Sequence, residues 1–471
     1  MTMLGPVVPP NASTNPYVTP YAPSYGAEFV ARPSARRKRE PWGAAEWFML
    51  SQTAIPALLF LPGAQPARLL IRVAAFATSL LLLLPWRGSR NTLKRHPSRI
   101  WLAPTMLYLT LMIFHPTTNS LLAGVAQVAL YVSVFAPAYW MPKFVRSASQ
   151  LDRLITILWV CSTVNAAVGV MQVYDPDRWM PREFSAMAVS SMYQLDAARY
   201  DGPNGRRITR PPGLFDTPGA VAGPAMFAAL IGLVMFARRG AMWRKLLGLV
   251  SSGIGLTAIY LAQVRTSFLI VLGMLLVYAL ISAAFDQRRV RTLSLLVGTG
   301  VVLAGSLAAS LLLGGQATID RLNTLVAGDP VSVYYNAGRG SQLDYAVQTL
   351  APKYPFGAGL GRWGMMRAYF GNASNPNSPQ IWAELQLPAW ILDGGLVLVA
   401  LYVLALIATL SQQFRVARRS TDPLLGESAR TILALSAGTL ALIFGFTPFT
   451  TQIGIQFWVL AGALHGAVER Q

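Results

Sequence analysis

The sequence predicts an all-α, polytopic membrane protein, a helical bundle of about 12 transmembrane helices with a large outer loop. Of its 471 residues, 54% are hydrophobic and only 12% are charged, against about 25% charged residues in a typical soluble domain. Twelve mostly apolar windows, most of them about the length that crosses a bilayer, follow one another along the chain. Because the backbone must satisfy its own polar groups in lipid, long apolar runs of this kind predict helices.

The predicted spans occupy the chain after its first 42 residues. The third and twelfth windows are the shortest, and the second contains the charged residue Arg72. The windows lie near 44–62, 69–86, 100–115, 120–140, 154–174, 217–237, 246–263, 268–285, 293–314, 387–410, 431–450 and 453–468. Residues 43–471 are therefore predicted to form one transmembrane domain that includes the loops between the spans.

Residues 1–42 differ in composition and are rich in Pro, Tyr, Asn, Ser and Ala. A segment of this kind buries too little apolar surface to fold alone, so we predict a disordered cytoplasmic tail. No apolar stretch follows a basic start before Trp47, and the pattern of a cleavable signal peptide is therefore missing.

The formal net charge of +20 follows the predicted topology. Of the 39 Lys and Arg residues, 25 fall before the first span, in the even-numbered connections or after the last span, whereas 13 fall in the odd-numbered connections. Since basic residues favour the cytoplasmic side, both termini are predicted to be cytoplasmic, and the long connections 175–216 and 315–386 to lie outside. Topology accounts for most of the positive charge, so nucleic acid is not expected as a partner.

Metal and disulfide chemistry have few residues to use in this chain. The single cysteine, Cys161, lies inside an apolar run, and the three histidines are far apart in the sequence. We therefore expect no disulfide within the chain, no metal and no cofactor.

Three arginines stand out at the predicted outer boundary. Arg210 begins the stiff run Arg-Pro-Pro-Gly-Leu-Phe that leads into the sixth span. Arg265 lies in a tight turn between two spans, with no acidic residue within ten positions, and Arg339 lies between two glycines. Ion pairing with nearby acids, snorkelling to the interface and a solvated loop are the alternative explanations. Together the three guanidinium groups suit the diphosphate of a lipid carrier.

Arg339 precedes a predicted short amphipathic helix. Ser341 is a plausible N-cap, and apolar residues recur at helical spacing at Leu343, Ala346, Val347 and Leu350. Further on, the glycine-rich segment 357–362 lacks the lysine and the preceding strand of a nucleotide-binding loop. A tight turn is the interpretation favoured for that segment.

The order of these features resembles the O-antigen ligase and O-antigen polymerase superfamily over roughly residues 150–410. The resemblance implies about 12 helices and a large outer loop that closes over a polyprenyl-diphosphate-linked glycan. It implies transfer of the glycan to an acceptor hydroxyl without metal or nucleotide. Arg210, Arg265 and Arg339 are similar to the family's diphosphate-binding arginines.

The sequence departs from the ligases of this family in one respect. Those ligases have a His-Asn pair about ten residues before an acid-x-Gly element, which Asp393-Gly394-Gly395 resembles. Counting back from it reaches Glu384, and 315–386 contains no histidine. A carboxylate can deprotonate an acceptor hydroxyl, so Glu384 is the first candidate for the catalytic base and Asp344 the second. An acid placed near a helix N-terminus by the helix dipole is the structural alternative.

The function expected from these features is glycan polymerisation in the bacterial inner membrane, for exopolysaccharide or O-antigen synthesis. The expected partners are a polyprenyl-diphosphate-linked donor, a glycan acceptor, the lipid bilayer and other polysaccharide export proteins. A ligase that passes the glycan to a lipid or protein acceptor is the close alternative. A transporter or flippase is the alternative from another class, although we find no convincing internal repeat of the kind common in transporters.

The predicted orientation can be tested by cysteine labelling in intact spheroplasts. A membrane-impermeant thiol reagent should label a Cys placed in 175–216 and should not label a Cys placed at Arg239. Labelling at position 239 would overturn the topology, because that residue belongs to a connection predicted to be cytoplasmic.

Overall fold

The computed structural model describes residues 41–60, 63–84, 95–181, 184, 198–238, 240–285, 289–323 and 339–470. These residues are overwhelmingly helical and contain almost no sheet, which agrees with the predicted all-α class. The predicted tail, residues 1–42, lies outside the described residues apart from its last two positions.

The helices are joined by connections of very different length, the longest between Trp179 and Ala222. In chain order they are α1 Ala44–Ala54, α2 Arg68–Leu81, α3 Arg99–Met112, α4 Leu121–Phe135, α5 Pro137–Phe144, α6 Ala148–Tyr174, α7 Pro176–Trp179, α8 Ala222–Ala237, α9 Met242–Ala262, α10 Arg265–Phe285, α11 Arg289–Gly314, α12 Gln316–Asn323, α13 Gly340–Tyr345, α14 Ala351–Lys353, α15 Gly364–Phe370, α16 Gln386–Arg419, α17 Pro423–Ala441 and α18 Gln452–Val468. A π-helical turn, Ala346–Leu350, joins α13 to α14, and two strands, β1 Arg199–Asp201 and β2 Arg207–Thr209, precede α8.

Each predicted span overlaps a helix, but not every helix is long enough to cross a bilayer. Among the described residues, seven helices are sufficiently long and apolar: 121–144, 148–174, 242–262, 265–285, 293–314, 386–419 and 423–444. The prediction of 12 spans is thus not confirmed. The reason is helix length: α3 has 14 residues, which at 1.5 Å per residue extend about 21 Å against a hydrocarbon thickness of about 30 Å.

The long helices expose apolar side chains in stripes. On α10, Leu269, Leu276 and Leu280 are each more than half exposed, and their spacing of seven and four residues places them on one face. A face of this kind is unfavourable in water and favourable against lipid tails. The exposed stripe therefore supports placing α10 in a membrane.

Helices α8 and α9 pack through small residues that allow their backbones to touch. A Cβ atom on Gly232 would lie 2.5 Å from the carbonyl oxygen of Gly248, and a Cβ atom on Gly248 would lie 2.5 Å from the carbonyl oxygen of Gly232. Ser252 Oγ donates to the carbonyl oxygen of Ala229 across the same contact at 2.9 Å. Close approach of small residues is the usual way in which helices associate in lipid.

A buried ion cluster joins four helices at the end of the bundle that bears the predicted cytoplasmic connections. Arg238, which follows α8, lies 2.6 Å from Asp152 Oδ1 on α6 and 3.1 Å from Glu427 Oε1 on α17. The hydroxyl of Tyr278 on α10 donates to the same Glu427 oxygen at 3.0 Å. Because each charge in this low-dielectric site has a hydrogen-bonded partner, the cluster can hold these helix ends together.

Among the described residues, the two short strands depart from the helical pattern, and they position the residues before α8. They pair antiparallel with Tyr200 opposite Ile208. Both side chains are buried against Val173 on α6 and Leu261 on α9. The hairpin is thereby packed onto the ends of two long helices, and the residue that follows it closely is Arg210.

Candidate functional site

The bundle contains a cavity of about 870 Å³. Helices α2, α4, α6 and α8 form much of its wall, with apolar side chains such as Ile71, Phe76, Leu130, Met226 and Phe227. Its charged lining residues are Arg72, Asp216 and Arg339. A largely apolar cavity with a few charged groups suits a ligand that has both a hydrocarbon chain and an anionic head.

Two of those charged residues belong to a cluster that sequence analysis missed. Asp216 is almost fully buried, accepts a short hydrogen bond from Arg72 and lies 3.3 Å from Arg68 Nε. Arg72 also donates to the hydroxyl of Tyr369 on α15 at 3.3 Å. From sequence, Arg72 was a charge inside a span and Asp216 one of several acids near Arg210. The pairing depends on contact between segments 144 residues apart, which no local pattern reveals.

Arg210 is held in place by its own backbone. Its N–H donates to the carbonyl oxygen of Ala198 at 2.9 Å, and its carbonyl accepts from the N–H of Gly219 at 3.3 Å. The proline pair after Arg210 therefore lies within a loop that closes on itself. Gly219 in turn lines the large cavity, so the closed loop brings Arg210 to the edge of that cavity.

Arg265 lies close enough to Arg210 for their charges to interact. Burial lowers the pKa of the Arg210 guanidinium below its ordinary value, the Tyr200 hydroxyl opposes this shift, and the positive charge of Arg265 adds to it. The neighbours of Arg265 in sequence, Val264 and Thr266, line the cavity. The three predicted arginines thus lie at or beside one cavity, Arg339 in its wall and the other two next to wall residues.

The first candidate for a base is adjacent to the third arginine. Glu384 Oε2 lies 3.9 Å from Arg339 Nε and accepts a hydrogen bond from Gln342 Nε2 at 3.2 Å. The Glu384 side chain is 38% exposed, so the carboxylate is accessible to a ligand. Asp344 lies on the same helix as Gln342 and is half-buried. The exposed ion pair between Glu384 and Arg339 adds at most about 1 kcal/mol to the stability of the fold.

The helix predicted after Arg339 is present, but its start and its inner face differ from the prediction. Arg339, not Ser341, is the N-cap residue, and no side-chain capping bond is made. Ala346 and Leu350 are buried as expected, whereas Val347 is 58% exposed. The π-helical turn Ala346–Leu350 explains the second difference, because its wider spacing changes the face on which each following residue falls.

The glycine-rich segment 357–362 is a series of bends that packs on a broken helix. Helix α16 is interrupted at Gly394 and Gly395, and Gly395 has a φ of 63°. A Cβ atom there would lie 2.1 Å from the carbonyl oxygen of Pro355. Two backbone bonds close the contact: the N–H of Ala358 donates to Leu392, and the N–H of Leu396 donates to Pro355. The hydrogen-bonded turn lies just before the segment for which it was predicted, where the N–H of Gly357 donates to the carbonyl oxygen of Tyr354 at 3.1 Å.

Asp393, next to the break in α16, is a fully buried carboxylate with three donors from two other parts of the chain. Its Oδ2 accepts from Tyr131 Oη at 2.7 Å and from Gln127 Nε2 at 3.1 Å, both on α4. Its Oδ1 accepts from the indole Nε1 of Trp363 at 2.9 Å. The carboxylate therefore ties the segment around Trp363 to the two helices α4 and α16.

In the part of the chain that the structure describes, no three His, Cys, Asp or Glu side chains are grouped so that they could hold a metal ion.

We predict that Trp363→Phe loosens the packing of residues 340–385. The substitution keeps most of the apolar surface but leaves a buried carboxylate oxygen without its donor, at a cost of about 1 to 3 kcal/mol. The melting temperature of the purified protein in detergent should fall, and limited proteolysis should cut 340–385 faster. Trp382→Phe is the matched control, because Trp382 is 63% exposed; equal effects of the two substitutions would contradict the role of Asp393.

The sequence matches no protein-family model, and a search of curated proteins finds no similar protein. The fold and the geometry of the cavity are therefore the basis for any functional assignment.

Proposed function

We propose that this chain is a glycan polymerase of the bacterial inner membrane. It transfers an oligosaccharide from a polyprenyl diphosphate to another lipid-linked glycan unit, in exopolysaccharide or O-antigen synthesis. The single observation that supports this proposal best is the apolar cavity of about 870 Å³ with Arg339 in its wall and Arg210 and Arg265 beside it. A prenyl chain fits the apolar wall, and a diphosphate fits the guanidinium groups.

The proposed reaction breaks the bond between the anomeric carbon of the donor sugar and the diphosphate oxygen. A hydroxyl of the acceptor glycan attacks that carbon, and the bond electrons leave with the polyprenyl diphosphate. Negative charge increases on the leaving group, and preorganised guanidinium groups in a poorly hydrated site are well suited to stabilise it. The proton of the attacking hydroxyl passes to Glu384.

The position of Glu384 supports this role. A base must reach the acceptor hydroxyl while the donor diphosphate is bound, and the distance of 3.9 Å between Glu384 and Arg339 supports assigning these two roles to neighbouring side chains. The hydrogen bond from Gln342 holds the carboxylate without neutralising it. Asp344 stays the second candidate.

A ligase would use the same donor site and the same base, and it would differ in the acceptor, a lipid or a protein. The missing His-Asn pair favours the polymerase. Mass spectrometry of the glycan and its carrier in a deletion strain distinguishes the two, because loss of a polymerase leaves single repeat units whereas loss of a ligase leaves long chains on the carrier. Unchanged glycan and unchanged carrier would leave a transporter or flippase as the better proposal.

In this proposal both termini face the cytoplasm, and the arginines and Glu384 face the outer side. The donor would then reach the site after its glycan has crossed the membrane. Other polysaccharide export proteins are the partners expected to receive the product.

Replacing any one of Arg210, Arg265 and Arg339 with Ala should abolish polymer formation while leaving membrane insertion intact. Lys should restore little activity, because its ammonium group lacks the planar fork that binds two phosphate oxygens. Gel analysis of the glycan in a complemented deletion strain measures the effect. Arg415→Ala is the control, since Arg415 is exposed near the other end of α16 and donates to a backbone carbonyl of its own helix. Normal polymer in all three Ala variants would remove the arginines from the mechanism.

Glu384→Gln keeps the shape of the side chain but cannot accept the proton. We expect donor binding to persist and transfer to slow by about 10² to 10⁴-fold, as measured in a purified assay with lipid-linked substrate. Asp344→Asn is the matched variant and should retain activity. If Asn at 344 abolishes transfer and Gln at 384 does not, Asp344 is the base.

A further inference from the structure

Arg210 follows the hairpin, and Arg265 lies just after α9. Four buried polar atoms without a hydrogen-bond partner lie in this region. They are Tyr200 Oη, Arg210 Nε, Gln263 Nε2 and Thr318 Oγ1. Tyr200 is 9% exposed, Gln263 8% and Thr318 1%. Buried polar groups in folded proteins are nearly always hydrogen-bonded, and a group of unpaired ones needs an explanation.

These atoms belong to segments far apart in sequence, and the fold brings them to one place. Gln263, Arg265 and Thr318 line one small cavity. A Cβ atom on Gly314 would lie 2.7 Å from Thr318 Oγ1 and 3.7 Å from Tyr200 Oη, so the two hydroxyls border the same space. The Tyr200 hydroxyl and the positive charge of Arg265 both influence the pKa of Arg210. The hairpin, the α9–α10 turn and α12 therefore converge on a single group of side chains.

The backbone of Gln263 is unusual in the same place. It ends α9 in the left-handed conformation, with φ 53° and ψ 29°, and among the described residues it is the one non-glycine residue with a positive φ. Glycine or asparagine is the usual residue at such a helix end. A long side chain kept in an unfavourable conformation suggests that its position is used.

Donors and positive charge predominate in the group. Each of the four atoms can donate a hydrogen bond, and Arg265 contributes a second positive charge beside Arg210. Phosphate oxygens are acceptors and carry the negative charge that two arginines attract.

We propose that Tyr200, Gln263 and Thr318 form a phosphate-binding site together with Arg210 and Arg265, in which the three neutral side chains bind non-bridging oxygens of the substrate's diphosphate. This inference rests on the proposed function, and it adds three ligand-binding residues to it. The cavity among Gln263, Arg265 and Thr318 holds about 10 Å³, so entry of a phosphate group requires these side chains to move apart. Tyr200, on the hairpin, and Thr318, on α12, lie on separate segments, so a shift of either side chain would widen the space.

Tyr200→Phe and Thr318→Val test the inference, because each removes one hydroxyl and nearly preserves shape. The full-length protein is purified in detergent, and its affinity for farnesyl diphosphate and for inorganic pyrophosphate is measured by calorimetry. Each variant should bind farnesyl diphosphate roughly tenfold more weakly. Its melting temperature without ligand should be unchanged or higher, since the lost hydroxyl had no partner in the protein.

Ser310→Ala is the matched control. Ser310 is a buried hydroxyl on α11 that already donates to the carbonyl oxygen of Leu307 at 2.8 Å, so its loss should leave affinity unchanged. A purely structural role of the hydroxyls predicts the reverse pattern: a lower melting temperature and unchanged affinity.

Failure of this inference can be told apart from failure of the proposed function. If the unmodified protein binds farnesyl diphosphate and both variants bind it equally well, the two hydroxyls are not ligands and the inference fails, while the arginines and the polymerase proposal stand. If no phosphate probe binds the unmodified protein, the site is overturned. If the variants lose affinity but the deletion strain still makes normal polymer, the phosphate site is supported and the polymerase proposal fails.

Discussion

The hydrogen-bonded, buried carboxylate of Asp393 is the interaction on which the position of residues 355–363 depends. A carboxylate without solvent is costly unless its oxygens are satisfied, and here the donors come from Gln127 and Tyr131 on α4 and from Trp363 in the outer segment. The break in α16 lets the backbone of residues 355–358 form hydrogen bonds with α16 on both sides of Asp393. The segment around Trp363 is thereby fixed to α4 and α16. It is flanked in sequence by Arg339, which lines the cavity, and by Glu384, which lies 3.9 Å from Arg339.

The charged groups at the two ends of the bundle behave differently. At one end Arg238 lies between two carboxylates, and its charge is offset within the protein. At the other end the positive charge of Arg265 acts on Arg210, and two such charges can attract the same anion. Arg72 and Arg68 share Asp216 beside the apolar cavity. In a poorly hydrated site such charges interact strongly, which is why an anionic lipid headgroup is the ligand class that the geometry favours.

The proposed phosphate site and the proposed base are linked by the same cavity wall. Gly219 and Val264 connect the cavity to Arg210 and Arg265, and Arg339 connects it to Glu384. A lipid diphosphate lying in the cavity would therefore meet the arginines at its head while its sugar extends towards the outer segment. The accessible position of Glu384 leaves room for an acceptor glycan that arrives from outside.

The hydropathy of the chain is enough to predict the class of protein, because hydrophobic runs longer than about 18 residues have few stable alternatives to helices in lipid. The sequence also singled out Arg210, Arg265 and Arg339, since arginine at an outer boundary opposes the usual charge bias. The number of long spans, the register change at Ala346–Leu350 and the hairpin at 199–209 were decided by tertiary packing. The Asp216 and Asp393 networks and the cluster of Tyr200, Gln263 and Thr318 were decided there too. The members of each group are distant in sequence, and only the folded chain brings them together.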